Sequence, residues 1–227
     1  MSKLPIAVLI SGGGSNLQAL IDKIEEGILD VDIKMVLSNR AGAYGLERAK
    51  THSIPTCVLS HKDFKSREDF DGEMVRILKE TGAQAVVMAG FMRIITPVFL
   101  NAFSGRIINI HPALLPSFAG AGGQTEAGEY GVQISGCTVH FVDEKMDNGA
   151  IIIQAAVPAM PGEDVDVLAK RILRVEHRIL PQATQWLAEG RLRTEGRFVK
   201  LGLADVAKAE QDTDFPCLIN PPLEYGF

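Results

Sequence analysis

The sequence predicts an α/β fold with a mostly parallel central sheet, helices on both faces and an antiparallel C-terminal part. Two patterns carry that prediction. Through the first half of the chain, short apolar runs bounded by turn residues alternate with stripes of helical period. Beyond residue 138, two strand-like runs meet at a tight turn and are followed by a long helix and a hairpin. With 227 residues, 46% of them hydrophobic, the chain has material for a packed core.

The expected strands are Ile6–Ile10, Ile33–Leu37, Thr56–Leu59, Ala85–Ala89 and Ile107–Ile110, each short, apolar and closed by turn residues. A helix after the first strand puts Leu17, Leu20, Ile21 and Ile24 on one stripe. Another, starting at Ser66, does the same with Phe70, Met74, Ile77 and Leu78. Thr96-Pro97 reads as a helix start, since threonine caps and proline at the first helical position loses no needed donor. Thr138–Val142 and Ile151–Val157 follow as strands joined around Asp147-Asn148-Gly149. A long helix then carries Leu168, Ile172, Val175 and Ile179, with Pro181 expected to bend it before Trp186. Past Gly190, basic runs flank Thr194-Glu195-Gly196 as a hairpin, and Pro216, Pro221 and Pro222 point to an irregular tail. The expected organisation is one domain over 1–192, then a C-terminal hairpin and tail over 193–227.

A formal net charge of −5 argues against broad nucleic-acid or membrane-surface binding and leaves small-molecule substrates as the expected partners. Cys57, Cys137 and Cys217 lie far apart, are odd in number and form no C-x-x-C pair, which suggests neither disulfides nor zinc. The first apolar run is too short to span a membrane and leads straight into a glycine turn, so it reads as a buried strand. The expected setting is the cytoplasm, with no metal, no nucleic acid and no membrane; homodimerisation is left open.

Ser11-Gly12-Gly13-Gly14-Ser15-Asn16 lies between the first strand and the first helix, where backbone N–H groups and the helix dipole favour an anion. No Gly-Lys-Ser/Thr follows, and Leu17 stands where a dinucleotide fingerprint needs its third glycine. A monophosphate fits better. An NADP enzyme stays as a rival, because Arg40 after the second strand could meet a 2′-phosphate.

The chemistry points to Asn109, His111 and Asp147, an amide donor, an imidazole and a carboxylate. Acyl transfer to an amine without metal or covalent nucleophile needs those three: a donor for the oxyanion, a proton shuttle, and an anion to tune it. Asn109 and His111 share one side if the strand continues that far. His140 lies within an alternating strand and faces either the site or the core, His52, His61 and His177 read as surface or packing residues, and none of the four receives a chemical role; no Gly-x-Ser-x-Gly elbow or cysteine–histidine pair indicates covalent catalysis.

The runs Ile6-Ala7-Val8-Leu9-Ile10-Ser11-Gly12-Gly13-Gly14-Ser15-Asn16-Leu17, Ala89-Gly90-Phe91-Met92-Arg93-Ile94, Asn109-Ile110-His111-Pro112, Gly136–Gly149 and Glu176-His177 closely resemble the phosphoribosylglycinamide formyltransferases, the folate-dependent glycinamide ribonucleotide transformylases of purine synthesis. The resemblance ends near Leu192. It implies a Rossmann-like formyltransferase fold and direct transfer of a formyl group from 10-formyltetrahydrofolate, as co-substrate, through a tetrahedral intermediate. It implies that Gly14, Ser15 and Asn16 hold the phosphate of glycinamide ribonucleotide and that Glu176 faces its ribose. For the folate it implies Met92, Arg93, Ile94 and Ile95, with Arg67 near the acidic tail and Asn109 near the formyl group. Apolar side chains suit a pterin, and an arginine suits a carboxylate.

The chain departs from that family after Leu115-Pro116-Ser117-Phe118. A proline–glycine pair and a histidine are usual there; this sequence has Ala119-Gly120-Ala121-Gly122-Gly123, with Gly122 in the place of that histidine. Four glycines within Ala119–Gly128 restrict the backbone little, which leads to the expectation of a mobile loop. The rivals are a non-catalytic phosphate-ligand-binding protein and a formyltransferase acting on another amine.

Overall fold

A computed structural model of the protein describes residues 3–204 and 215–227. Leu4–Ile10 (β1), Val31–Ser38 (β2), Thr56–Val58 (β3), Ala85–Met88 (β4) and Ile107–His111 (β5) form a parallel array in the order β3-β2-β1-β4-β5. Ser15–Glu25 (α1), Gly45–Thr51 (α2), Arg67–Glu80 (α3) and Pro97–Ala102 (α4) lie between these strands in sequence, with a 3-10 turn at His61–Asp63. This array belongs to the first of two compact units, made of the residues up to Asn109 with Val142–Glu144; the second comprises Ile110–Phe141 and Lys145–Phe227. β5 carries the chain from one to the other.

The expected stripes make the core of the first unit. Phe70, Met74 and Leu78 of α3 pack with Ala7, Leu9, Val86, Met88, Phe99 and Ile107. Phe70 and Phe99 are fully buried, and truncating either to alanine is expected to cost about 3–5 kcal/mol. Ser66 caps α3 by accepting the Asp69 N–H at 3.0 Å. Thr96 stands at the expected cap position before Pro97, but its side chain makes no cap hydrogen bond. Its backbone N–H instead donates to the buried carboxylate of Asp71 at 2.5 Å, because that acceptor has no water to turn to.

In the second unit, Ile134–Phe141 (β6) pairs antiparallel with Ile151–Pro158 (β7), and Val165–Ala188 (α6) packs on both strands. Leu168, Ile172, Val175 and Ile179 form its buried stripe as expected, and the helix continues through Pro181 to Trp186 and beyond. Leu192–Glu195 (β8) and Phe198–Leu201 (β9) form the expected hairpin, with Glu195 opposite Phe198. Part of the expected irregular tail, 205–214, lies outside the described residues; Leu218–Asn220 (β10) pairs antiparallel with β7. Gly123–Tyr130 (α5) is a helix that overlaps the second half of Ala119–Gly128, the segment expected to be a mobile loop. Its fully buried Ala127 supplies the anchorage that local propensity lacks. Among the described residues, no helix is long and apolar enough to cross a membrane.

Candidate functional site

The strand order of the first unit reverses direction at β1. Loops that leave β1 and β4 at their carboxyl ends therefore part to opposite sides, the arrangement at which open α/β sheets accept ligands. The glycine loop follows β1 and the segment Ala89–Thr96 follows β4. One side chain joins them. Buried Ser11 accepts the Met92 N–H at 2.8 Å and donates its hydroxyl to Asn39 Oδ1 at 2.6 Å, while its own N–H donates to the Gly90 carbonyl at 3.0 Å.

Gly14 occupies the N-cap of α1 in the left-handed region (φ 71°, ψ 29°), with no side-chain cap and no acidic residue in the first turn. Ser15 therefore is not the cap that its position suggests, and no carboxylate in that turn competes for its amides. Asn16 is buried.

In the second loop Met92 and Ile94 are exposed by 60% and 47%, whereas the expected folate residue Ile95 is buried in the core. The Arg93 guanidinium lies 5.1 Å from the Phe70 ring centroid, and His61 meets the same ring edge-on at 6.4 Å. Desolvation first, and then the charges of Arg93, Lys62 and Arg40, push His61 below its ordinary value, while Asp63 opposes them. Exposed Arg67 begins α3, where the helix dipole disfavours a cation, so helix stability does not account for it. Burial raises the Asp71 carboxyl above the usual range; the Thr96 hydrogen bond and the Arg93 charge oppose that rise. Asn109 is half-buried near the end of β5, paired with Met88 of β4.

In the second unit the imidazole and the carboxylate meet. His111 Nδ1 lies 3.4 Å from Asp147 Oδ2, with 6% and 13% of the two side chains exposed. His111 Nε2–H donates to the Phe118 carbonyl at 2.9 Å. Both ring nitrogens thus face oxygen acceptors. Asp147 adopts a left-handed backbone (φ 49°), which a short polar side chain tolerates in a turn. Its Oδ2 also accepts the Gly120 N–H at 2.9 Å.

A second imidazole belongs to this cluster, His140, which the sequence left between site and core and without a chemical role. His140 Nε2 lies 3.7 Å from Asp147 Oδ1, while Nδ1–H donates to the Phe141 carbonyl at 2.8 Å. The available signal was its place at the end of the strand that leads into the Asp147 turn. Glu176 is buried on α6; burial, with the Glu176 charge adding to it, holds the Cys137 thiol well above its ordinary value.

Against known proteins, the formyl transferase family model matches residues 4–184. A trifunctional purine biosynthetic protein adenosine-3 of Drosophila pseudoobscura pseudoobscura is 50% identical over 207 residues, 90% of this chain; the chain spans 15% of that protein's length. A phosphoribosylglycinamide formyltransferase of Haemophilus influenzae is 42% identical over 86% of this chain and 92% of its own. The crystal structure of glycinamide ribonucleotide transformylase 1 from Symbiobacterium toebii superposes with a TM-score of 0.87 at 46% identity, covering 88% of this chain and 95% of that one.

Proposed function

The chain belongs to the formyl transferase family, and from that premise we propose that it transfers a formyl group from 10-formyltetrahydrofolate to the amine of glycinamide ribonucleotide, a step of de novo purine (IMP) biosynthesis. The observation that carries this reading is the His111–Asp147 pair, a nearly buried imidazole with a carboxylate at 3.4 Å. The folate supplies an activated formyl carbon. Exposed Met92 and Ile94, on a loop fastened at Met92 and Thr96, fit a flat apolar ligand, and the guanidinium groups of Arg93 and Arg67 suit its acidic tail.

In this reading Asn109 donates to the oxygen that gains charge as the amine attacks, and His111 becomes a second donor when its Nε2–H leaves the Phe118 carbonyl. Asp147 orients the ring and orders the path by which a proton leaves the amine and reaches the departing nitrogen. Gly14, Ser15 and Asn16 take the nucleotide phosphate at the start of α1, and Glu176 takes its ribose. The test is a formyl-transfer assay with both substrates. Formation of tetrahydrofolate and formylated ribonucleotide is expected; inactivity of the folded protein would overturn the reading. Transfer to a different amine, with glycinamide ribonucleotide refused, would leave the transfer chemistry and reject the substrate.

A further inference from the structure

We propose that Arg48, with the backbone of Gly45, is a positioning residue that turns the glycine loop into a phosphate receptor; this rests on the nucleotide reading above. Two successive carbonyls of the loop are taken by α2. The Gly45 N–H donates to the Gly12 carbonyl at 3.0 Å, and Arg48 Nε–H donates to the Gly13 carbonyl at 2.9 Å. Across a trans peptide, a carbonyl and the following N–H point in opposite directions. Fixing the Gly12 and Gly13 carbonyls toward α2 therefore turns the Gly13 and Gly14 N–H groups away from it. The chain then enters α1 through left-handed Gly14, and successive amides around such a residue make a concave anion nest.

Arg48 is itself braced for this task. A terminal guanidinium nitrogen donates to Gln18 Oε1 on α1 at 3.3 Å, and the guanidinium carbon lies 5.1 Å from the Tyr44 ring centroid. The approach of loop to helix is close: a Cβ on Gly14 would sit 2.5 Å from the Gly45 Cα, and one on Gly45 would sit 3.1 Å from the Gly14 Cα. Glycine at both positions lets the carbonyls reach their donors, and Arg48 then sets the peptide orientation.

The experiment uses the full chain as wild type, Arg48→Ala and Arg48→Lys, with calorimetric titration of glycinamide ribonucleotide and of its dephosphorylated nucleoside. Loss of a charge-assisted hydrogen bond predicts about a tenfold loss of ribonucleotide affinity in Arg48→Ala. Nucleoside affinity and the KM for folate stay as in wild type, and Arg48→Lys recovers part of the loss. An Arg48→Ala variant that keeps the wild-type preference for the ribonucleotide overturns the proposal, as does equal weakening toward both ligands. A wild-type protein with no such preference overturns the nucleotide reading beneath it.

Discussion

In the first unit, the loops after β1 and β4 are fastened by side chains with no part in the proposed chemistry: Ser11 on Met92, Asp71 on Thr96, Arg48 on Gly13. In the second unit, the segment Phe118–Gly120 is fastened by His111 and Asp147, the two residues assigned to proton handling. Anchoring and chemistry are separable in the first unit and fused in the second. A lost anchor in the first unit should therefore weaken one substrate, whereas a lost anchor in the second should disturb turnover and local order together.

The sharpest test is His111→Ala. Turnover is expected to fall by about 100-fold or more, the usual cost of losing an acid–base group, with a smaller effect on nucleotide affinity. Amide hydrogen exchange over Phe118–Gly123 should rise with it, because the Phe118 carbonyl loses its donor. Wild-type turnover would remove His111 from the chemistry; unchanged exchange would break the claim of fusion.

Asp71→Ala comes next. It strands the buried Thr96 N–H, which is expected to cost about 1–3 kcal/mol in urea unfolding and to raise the KM for folate while kcat holds. Asp71→Asn sharpens the point through its sign. The folded-state pKa of Asp71 is raised, so its contribution to stability is fully present below the unfolded-state value and is lost as pH rises through the folded one. The asparagine keeps an acceptor for Thr96 and no charge. It should match or exceed the wild-type urea midpoint at pH 7, and the gap should close in acid; a lower midpoint at pH 7 would contradict this.

These anchors show where sequence reading stops. Apolar runs closed by turn residues were enough for β1 to β5, and helical spacing was enough for α1, α3 and α6, since each pattern reflects a buried face. α2 has only Leu46 and Ala49 as buried hydrophobic residues in seven, too few for a stripe. α5 reads as a loop because Gly123 and Gly128 lower its propensity, and what holds it is the buried Ala127. Within the candidate site, His111 and Asp147 could be named because acyl transfer demands their chemical types. Ser11, Asp71 and Arg48 could not, because a serine, an aspartate or an arginine on an ordinary helix or turn acquires its role from a backbone group that comes near only in the fold. His140 was lost to alternation, which assigns a residue to one of two faces without saying which face holds a carboxylate.

Gly120→Ala should have a smaller effect. At φ 101° a side chain is strained, and about 1–2 kcal/mol of stability should be lost, read as a lower Tm, with reduced turnover because the displaced Gly120 N–H donates to the Asp147 carboxylate. Loss of stability with full turnover would separate this anchor from the chemistry after all.

The smallest effect is expected at Glu163, a contact of the second unit away from the His111 cluster. Its carboxylate takes both terminal nitrogens of Arg171 at 2.8 Å, and that hydrogen bonding holds its folded pKa below the ordinary value. The stabilisation is present above the ordinary glutamate range and lost as pH falls through the folded value. Glu163→Gln should flatten that acid-side loss in unfolding curves and leave neutral-pH turnover unchanged. A fall in turnover would mean that anchoring and chemistry are fused throughout the second unit.

The meeting of Gly14 with Gly45 also bears on how the first unit opens. With two backbones in contact and no side chain between them, the start of α1 and the start of α2 have no cushion that could absorb a separate movement of either. Thermal excursions of the two helix starts should form one cooperative event, with a single opening free energy shared across both.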